Sequence, residues 1–411
     1  MSLQSEWTFL VYMAGDNNLE GAGKEDLEEM KKVGSTSQVK IIVQFDTEEN
    51  KTTRYLIEKD KLTTLQELPG VDTGDPKVLT DFIKWGINKY PANHYLLDVW
   101  NHGGGWEKLP SDFNYDNFRG IKPSLFASNI KRVRRSLFRT TIHKIRELPE
   151  QERMIAMDVG SHDYLDNQEL RDAISNAMPD GKKIDILGCD ACLMNMLEIC
   201  YENKDVVNFM VGSEEAEPDA GWPYTSILNT LTTTPNLSPA DLAKTITREY
   251  GKYYQETGDP TSISITQSAL DLRQIQPVVK SLSDLADLLI KNIHDKTVTQ
   301  AVTLARVSSQ SFTEYPEYID LVSLLNELMS LLPQNKEIQD AAKKILNTLI
   351  SQGDSFIIAN SIWGEKVKGA SGVSIYFPSS RTYSSDYADL PISKEYSWNK
   401  FLETLRINNI P

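Results

Sequence analysis

The fold is decided by residues 184–195, which read Ile184-Asp-Ile-Leu-Gly-Cys-Asp-Ala-Cys-Leu-Met-Asn195. The first half is a short apolar run with one charge, which is typical of a strand buried inside a sheet. After the glycine, Met194, Leu197 and Ile199 recur at roughly helical spacing. A thiol between a buried strand and a helix is often catalytic, because the helix N-terminus favours a thiolate and its free N–H groups stabilise an oxyanion. Cys192 is therefore a candidate nucleophile.

Similar buried strands precede this stretch and alternate with helices. Apolar runs predict strands over Trp7–Ala14, Val39–Phe45 and His94–Trp100. Amphipathic patterns predict helices over Glu20–Val33 and residues 76–90. This rhythm predicts an α/β fold with a mostly parallel central sheet and helices on both faces. Active sites of such sheets lie beyond the carboxyl ends of the strands.

The second half of the chain is largely helical. Helical patterns run from Pro239 to Ser351 and are interrupted by a predicted strand at Ser262–Thr266. Ser355–Ile362 and Val373–Phe377 are predicted to form a late strand pair. We therefore expect a catalytic core over residues 1–230, followed by a helical C-terminal region over residues 231–411 that returns strands to the core.

Composition excludes some classes of function. The chain has 411 residues and a net charge of −15, so it lacks the basic balance of a nucleic-acid-binding protein. No apolar run reaches the roughly 18 residues of a membrane span. The first residues lack the basic and apolar regions of a signal peptide, so we expect a cytoplasmic protein, or a secreted or periplasmic one if a leader was removed. Three cysteines make no disulfide framework. We expect a monomer.

A basic segment interrupts the otherwise acidic sequence. Residues 107–152 break the strand–helix rhythm and form an insertion. Within them, residues 131–146 contain seven Lys or Arg and no acid, including Lys131, Arg132, Arg134, Arg135 and Arg139. One interpretation is an amphipathic helix lying on the protein's own acidic surface. The other is an exposed loop that a protease specific for basic residues cuts.

A thiol becomes a strong nucleophile when an imidazole takes its proton. Of five histidines, His102 alone lies in a glycine-rich turn directly after a buried strand, within Asn101-His-Gly-Gly-Gly-Trp106. Gly103 lets the backbone approach a substrate closely and can offer an N–H group to an oxyanion. A lone histidine in a loop is more often structural, so spacing alone leaves the Cys192–His102 dyad as one of several interpretations.

The rival interpretations concern the two nearest cysteines. Cys189 and Cys192 have the spacing of a redox dithiol or of half a zinc site. Zinc needs two further ligands, and Cys200 with a scattered histidine makes a poor set. Along a strand Cys189 and Cys192 face differently, so Cys189 is most simply a core thiol. Asp190 is either a solvated carboxylate or helix cap, or a partner for a substrate guanidinium or ammonium group.

Several motifs resemble those of a known peptidase family. The chain resembles the clostripain-like cysteine peptidases, which belong to one clan with the caspases, gingipains, legumain and separase. The resemblance covers residues 7 to 378 and rests on six motifs: Tyr12-Met-Ala-Gly-Asp-Asn-Asn-Leu19, Thr73-Gly-Asp-Pro76, Val99-Trp-Asn-His-Gly-Gly-Gly-Trp106, Asp190-Ala-Cys-Leu-Met194, Gly221-Trp-Pro-Tyr224 and Gly372-Val-Ser-Ile-Tyr-Phe-Pro378. The paired His-Gly and Asp-Ala-Cys motifs at two strand ends are specific.

The resemblance implies a caspase-like fold with His102 as general acid and base and Cys192 as nucleophile. It implies an oxyanion hole at the N–H groups of Cys192 and Gly103, and cleavage after Arg or Lys with Asp190 as the acidic specificity residue. Asp219 and Ser213 are further expected substrate-binding residues. Several family members are cut after the catalytic histidine, which makes the basic segment a candidate processing region and an inhibited zymogen an expectation. No cofactor is required; some members need calcium, and no compact calcium loop is recognisable here.

Three hypotheses follow. The leading one is a cysteine endopeptidase that cleaves peptides and proteins after Arg or Lys. The second is a dithiol oxidoreductase that uses Cys189 and Cys192. The third is a catalytically inactive binding protein on a caspase-like scaffold.

Overall fold

The computed structural model of the chain describes residues 4–47, 51–106, 155–158, 161, 163–312, 315–350 and 353–410. The insertion over residues 107–152 lies outside the described residues, and so do its processing candidates Lys131, Arg132, Arg134, Arg135 and Arg139.

The described residues form strands and helices with the following bounds. The strands are β1 Ser5–Gly15, β2 Val39–Thr47, β3 Lys51–Glu58, β4 Lys61–Pro69, β5 Ala92–Trp100, β6 Ile155–Asp158, β7 Asp163–Leu165, β8 Ile184–Asp190, β9 Val207–Gly212, β10 Ile265–Asp271, β11 Ser311–Phe312, β12 Tyr315–Asp320, β13 Ile357–Trp363 and β14 Ser374–Tyr376. The α-helices are α1 Glu20–Lys31, α2 Pro76–Lys89, α3 Asn167–Ala177, α4 Leu197–Asn203, α5 Tyr224–Thr233, α6 Pro239–Thr257, α7 Ile275–Lys291, α8 Lys296–Ser308, α9 Leu321–Leu331, α10 Lys336–Ile350, α11 Pro391–Glu395 and α12 Trp398–Ile407.

Nine strands make one central sheet in the order β13-β10-β9-β8-β5-β1-β2-β3-β4. The five middle strands, from β9 to β2, are parallel, and the strands flanking them pair antiparallel. This confirms the predicted mostly parallel sheet. The small sheets β11-β12-β14 and β6-β7 lie outside it.

Alternate residues of β1 show why the middle strands are apolar throughout. Leu10 and Tyr12 belong to the hydrophobic core on one face of the sheet, which also contains Phe82 of α2. Phe9 and Val11 belong to the core on the other face. A strand covered on both faces has no polar side, which is why it appears in the sequence as a continuous apolar run.

The helix α2 begins where its capping signals predict. Asp75 accepts the Lys77 N–H at 2.8 Å, and Pro76 occupies the first helical position. Both features favour a helix start, because the first N–H groups of a helix have no partner within it. Leu79, Phe82 and Ile83 on its buried face then pack against the sheet.

The structure differs from the predicted strands in three details. The strand predicted at Ser262–Thr266 is β10 at Ile265–Asp271, where polar side chains such as Gln267 are fully buried and mask the apolar pattern. β4 was not predicted, because its residues are largely exposed and polar. The late strand pair does not form, since β13 joins the central sheet beside β10 and β14 pairs with β12.

The C-terminal region contributes β10 and β13 to the central sheet. The boundary between a core ending at residue 230 and a separate helical region stays a prediction. Among the described residues, none of the helices is long and apolar enough to cross a membrane.

Candidate active site

The ends of β5 and β8 bring the predicted pair of residues to one place. The two strands are parallel neighbours, with Trp100 paired to Asp190. His102 and Cys192 each follow their strand by the same two residues, and their exposed fractions are only 7% and 6%. A Cβ atom on Gly103 would lie 2.3 Å from the Cys192 carbonyl oxygen, so only glycine permits this close contact of the two turns.

Two backbone N–H groups point at the Cys192 sulfur. The N–H of Glu217 donates to Sγ at 3.3 Å, and the N–H of Gly103 also donates to the sulfur. Burial nevertheless raises the pKa of the thiol to about 12, and the negative charges of Glu215 and Asp219 add to the rise. The sulfur of the free enzyme is therefore a thiol at neutral pH and needs a base.

The turn that carries the thiol differs from the prediction in one respect. The helix after Cys192 was expected to begin immediately, but α4 begins only at Leu197. Met196 instead forms a parallel bridge with Ser374, whose N–H donates to the Asn195 carbonyl at 3.0 Å. Leu193 has a φ of 63°, a left-handed conformation uncommon for a non-glycine residue. Backbone N–H groups of neighbouring loops, rather than a helix N-terminus, therefore surround the sulfur.

The imidazole is held by the loop after β1. His102 Nε2 lies 3.0 Å from Asn18 Oδ1, and burial lowers the pKa of the ring to about 4. A neutral ring that donates Nε2–H to the Asn18 amide oxygen carries its acceptor lone pair on Nδ1. Asn101 supports this turn, since its side chain accepts the His102 N–H and donates to the Ala14 carbonyl. Sequence reasoning missed Asn18, although it lies in a quoted motif.

Asp190 lies at the base of the site, two residues before the thiol. Its Oδ2 accepts the Trp222 N–H at 3.2 Å and lies 2.8 Å from the Tyr224 hydroxyl. A Cβ atom on Gly221 would lie 2.9 Å from the same carboxylate oxygen, and this glycine has a φ of 49°. The Gly-Trp-Pro-Tyr motif therefore wraps closely around the Asp190 carboxyl group.

Further acids surround Asp190. The Tyr224 hydroxyl also lies 2.7 Å from Asp98 Oδ2, and Glu217 is in hydrogen-bonding contact with Asp190. Burial raises the pKa of all three carboxyl groups. Among the ion pairs of the described residues, none involves Asp98, Asp190 or Glu217.

The remaining predicted residues lie around this centre. Asp219 is half-buried and near enough to raise the pKa of Cys192. Ser213 is buried, and its hydroxyl donates to the Glu215 carbonyl at 2.8 Å and contacts Thr266 Oγ1 at 2.9 Å, so it shapes the base of the loop. Roles for Asp219 and Ser213 in binding substrate stay predictions.

Neither the dithiol nor a metal site gains support. Cys189, Cys192 and Cys200 are free, and Cys189 is fully buried with a pKa well above its usual value, chiefly because of burial. A redox pair needs an accessible thiolate. Within the part of the chain that the structure describes, no group of three or more His, Cys, Asp or Glu is placed to hold a metal ion.

Comparisons with known proteins identify the family of the chain. The sequence profile of the clostripain family matches residues 11–136 and 143–405. Clostripain from Hathewaya histolytica is 23% identical over 470 residues, covering 97% of this chain and 80% of clostripain.

Two solved structures are similar in fold. One is a secreted C11 cysteine protease from Bacteroides thetaiotaomicron bound to an irreversible peptide inhibitor, with a TM-score of 0.65, 18% identity, and coverage of 97% of this chain and 99% of that chain. The other is an inactive zymogen C11 protease from Parabacteroides distasonis, with a TM-score of 0.64, 19% identity, and coverage of 96% and 99%. These confirm the predicted caspase-like α/β fold. The chain therefore belongs to the clostripain family and is a cysteine-type endopeptidase.

Proposed function

We propose that this endopeptidase cleaves peptide bonds after Arg or Lys and that Cys192 and His102 form its catalytic dyad. The observation that carries the specificity is the group of buried carboxyl groups around Asp190, without an ion-pair partner among the described residues. Buried carboxylates without a counter-ion cost free energy, and they are retained where a ligand supplies the positive charge. A guanidinium or ammonium group of the substrate meets that need.

The first chemical step joins the thiol to the substrate carbonyl. Nδ1 of His102 takes the proton from Cys192 Sγ as the sulfur attacks the carbonyl carbon of the Arg or Lys residue. The carbon becomes tetrahedral, and its oxygen takes the negative charge. The N–H groups of Cys192 and Gly103 donate to that oxygen. Because the resting pair is a thiol and a neutral imidazole, base catalysis by His102 accompanies the attack.

The second half of the reaction releases both products. The protonated His102 gives its proton to the leaving amine as the C–N bond breaks and a thioester forms. His102 then takes a proton from water as the water oxygen attacks the thioester, and it returns that proton to the sulfur when the C–S bond breaks. The thiol is restored, and the new carboxylic acid loses its proton to solvent. Asn18 is a positioning residue in both halves, because its amide oxygen holds Nε2–H and so keeps the lone pair on Nδ1.

Self-cleavage within residues 131–146 fits the same specificity. This basic segment follows the strand and turn that carry His102, and it contains several Lys and Arg residues in sequence. A relative of similar fold is described as an inactive zymogen. We infer that the chain is made as a precursor and is activated by a cut after one of these basic residues.

The test uses purified protein and reporter amides that end in Arg, Lys or Asp. We expect cleavage of the Arg and Lys amides at least about 100-fold faster than of the Asp amide, because a charged pair with Asp190 discriminates by about 3 kcal/mol. Cys192→Ala and His102→Ala should abolish cleavage, and intact mass should show the processed chain only in the active protein. Preferred cleavage of the Asp amide would contradict the specificity.

The matched control is Cys189→Ala, which removes the neighbouring cysteine of the same strand end. The peptidase mechanism predicts near-normal cleavage by Cys189→Ala, because Cys189 lies in the core. If Cys189→Ala lost activity as completely as Cys192→Ala while folding normally, the dithiol mechanism would be favoured instead.

A further inference from the structure

We propose that Glu217 is an additional carboxylate of the pocket for the Arg or Lys side chain, and that it shares one proton with Asp190 until that side chain binds. The proposal rests on the proposed function and adds a binding residue and a released proton to it. Neither the family motifs nor the sequence patterns single out Glu217.

The surroundings of Glu217 are those of a ligand-binding group. Its side chain is 4% exposed, and both carboxyl oxygens are buried with no N–H or O–H donor among the described residues. Its carboxyl group instead contacts that of Asp190. Two carboxylates in hydrogen-bonding contact repel each other unless one carries a proton. The pair therefore holds one proton and one negative charge in the free enzyme.

The partners of Asp190 indicate which of the two acids keeps the charge. Asp190 accepts the Trp222 N–H, whereas none of the N–H and O–H groups that the structure describes donates to Glu217. Hydrogen bonds to a carboxylate favour its charged form. Glu217 is thus the acid that holds the proton, and Asp190 is the carboxylate that accepts from it.

The Tyr224 hydroxyl strengthens this assignment. It lies within 2.8 Å of Asp190 and 2.7 Å of Asp98, but a hydroxyl has only one proton to donate. One of these two carboxyl groups must therefore be protonated and donate to the tyrosine oxygen. Asp98 is fully buried and lies deeper in the sheet, so the proton belongs to Asp98 and Tyr224 donates to Asp190.

Among the described residues, no cation offsets these acids. The titratable groups that face Glu217 and Asp190 are Asp26, Glu29, Asp98, Cys189, Cys192, Tyr224, Tyr250 and Tyr254. All of them are neutral or negative. A guanidinium or ammonium group that binds against Glu217 and Asp190 is attracted by both, and the shared proton then leaves to solvent. The pair changes from one negative charge to two, the ligand brings one positive charge, and one proton is released.

Glu217 also connects the pocket to the nucleophile. Its backbone N–H donates to Cys192 Sγ, while its side chain contacts Asp190. A cationic side chain held by the Glu217 carboxylate thus binds to the same residue whose backbone touches the attacking sulfur. Replacing the side chain leaves the backbone contact in place, so the two contributions are separable by experiment.

The experiment measures proton release when a small amidinium binds. Benzamidine is titrated calorimetrically into the active enzyme in two buffers of different ionisation enthalpy, and its competitive inhibition constant is measured from about pH 5.5 to about pH 8. We expect binding to release nearly one proton. As the pH rises, the inhibition constant should fall by up to about tenfold per pH unit for as long as the pair is protonated in the free enzyme. In Glu217→Gln we expect no release and an inhibition constant that stays flat.

One control variant separates this role from general effects of removing an acid. Glu198→Gln removes a buried glutamate outside the pocket. It should keep the proton release. Even if Glu217→Gln fails to fold, a wild-type protein that binds benzamidine without releasing a proton disproves the proposal.

The outcomes distinguish this inference from the function on which it rests. In one case benzamidine binds and arginyl amides are cleaved, but the wild type releases no proton or Glu217→Gln still releases one. The shared proton is then disproved, and the peptidase specificity stands. If neither arginyl nor lysyl amides are cleaved and benzamidine does not bind, the specificity itself fails and the inference fails with it.

Discussion

Two buried pairs of carboxyl groups begin in the same loop and differ in their hydrogen-bond donors. Glu214 contacts Asp320, and Glu217 contacts Asp190. Asp320 accepts the N–H groups of Ser323 and Ser371, each at 2.6 Å, and Glu214 accepts that of Gly372 at 2.8 Å. No N–H or O–H donor among the described residues reaches Glu217.

The difference separates a structural pair from a binding pair. The Glu214–Asp320 pair joins the loop after β9 to the start of α9 and to residues 371–372, and each carboxyl group has a fixed backbone donor. Burial raises the pKa of Asp320 to about 6 and that of Glu214 well above its ordinary value, and the backbone N–H groups oppose both rises. The pKa of Glu217 is raised by burial and by nearby acids with no such opposition. The free energy of an unsatisfied buried acid is recovered only when a ligand arrives.

The largest expected effect comes from neutralising the binding pair at Asp190. Asp190→Asn removes the charge that pairs with the substrate cation, so we expect kcat/KM for an arginyl amide to fall by more than about 100-fold, or about 3 kcal/mol. For an amide whose residue before the cleaved bond is neutral and of similar length, kcat/KM should fall much less. Side-by-side kinetics with the two amides check this, and an equal loss for both would mean that Asp190 is structural like Asp320.

For the structural pair we expect the opposite result, a loss of stability with little loss of activity. Asp320→Ala removes an acceptor for two backbone N–H groups and leaves them buried, so we expect a loss of about 2–4 kcal/mol in the free energy of unfolding. The activity of the folded fraction should stay close to normal. Denaturant unfolding and active-site titration with an irreversible thiol reagent measure the two quantities separately. Normal stability with impaired cleavage would show that the two pairs do not differ as described.

The positions of His102 and Cys192 were predictable because they depend on buried strands. The apolar runs before His102 and Cys192 are covered on both faces, so their pattern identifies β5 and β8 without knowledge of their neighbours. Once the strands are parallel neighbours, the residues after their carboxyl ends must meet. The motifs that resemble the clostripain-like peptidases then favour the proposed dyad over the dithiol.

The supporting residues were not predictable from local pattern. Asn18 reaches His102 only because β1 lies beside β5, which is a property of the strand order. Glu214, Glu215 and Glu217 occupy one polar loop and look alike in sequence, yet each makes different contacts. Glu214 joins Asp320, Glu215 accepts the Ala216 N–H, and Glu217 alone contacts Asp190. The direction of a loop side chain depends on tertiary contacts that the sequence does not show.

The smallest expected effect is on stability, and its sign is the sharpest test of the comparison. In the folded protein the pKa of Glu217 lies well above its ordinary value, chiefly because of burial, so ionising this group destabilises the fold. The destabilisation is absent below the ordinary pKa of a glutamic acid and grows as the pH rises towards the folded-state pKa. Glu217→Gln, which is neutral at every pH, should therefore be more stable than the wild type by about 1 kcal/mol at neutral pH and by less under acidic conditions. Thermal unfolding of both proteins across this pH range measures the difference.

Removing a binding acid that costs stability makes the folded protein more stable, whereas removing a structural acid such as Asp320 makes it less stable. If Glu217→Gln were instead destabilised at neutral pH, Glu217 would have a donor in the free protein and its pair with Asp190 would be structural.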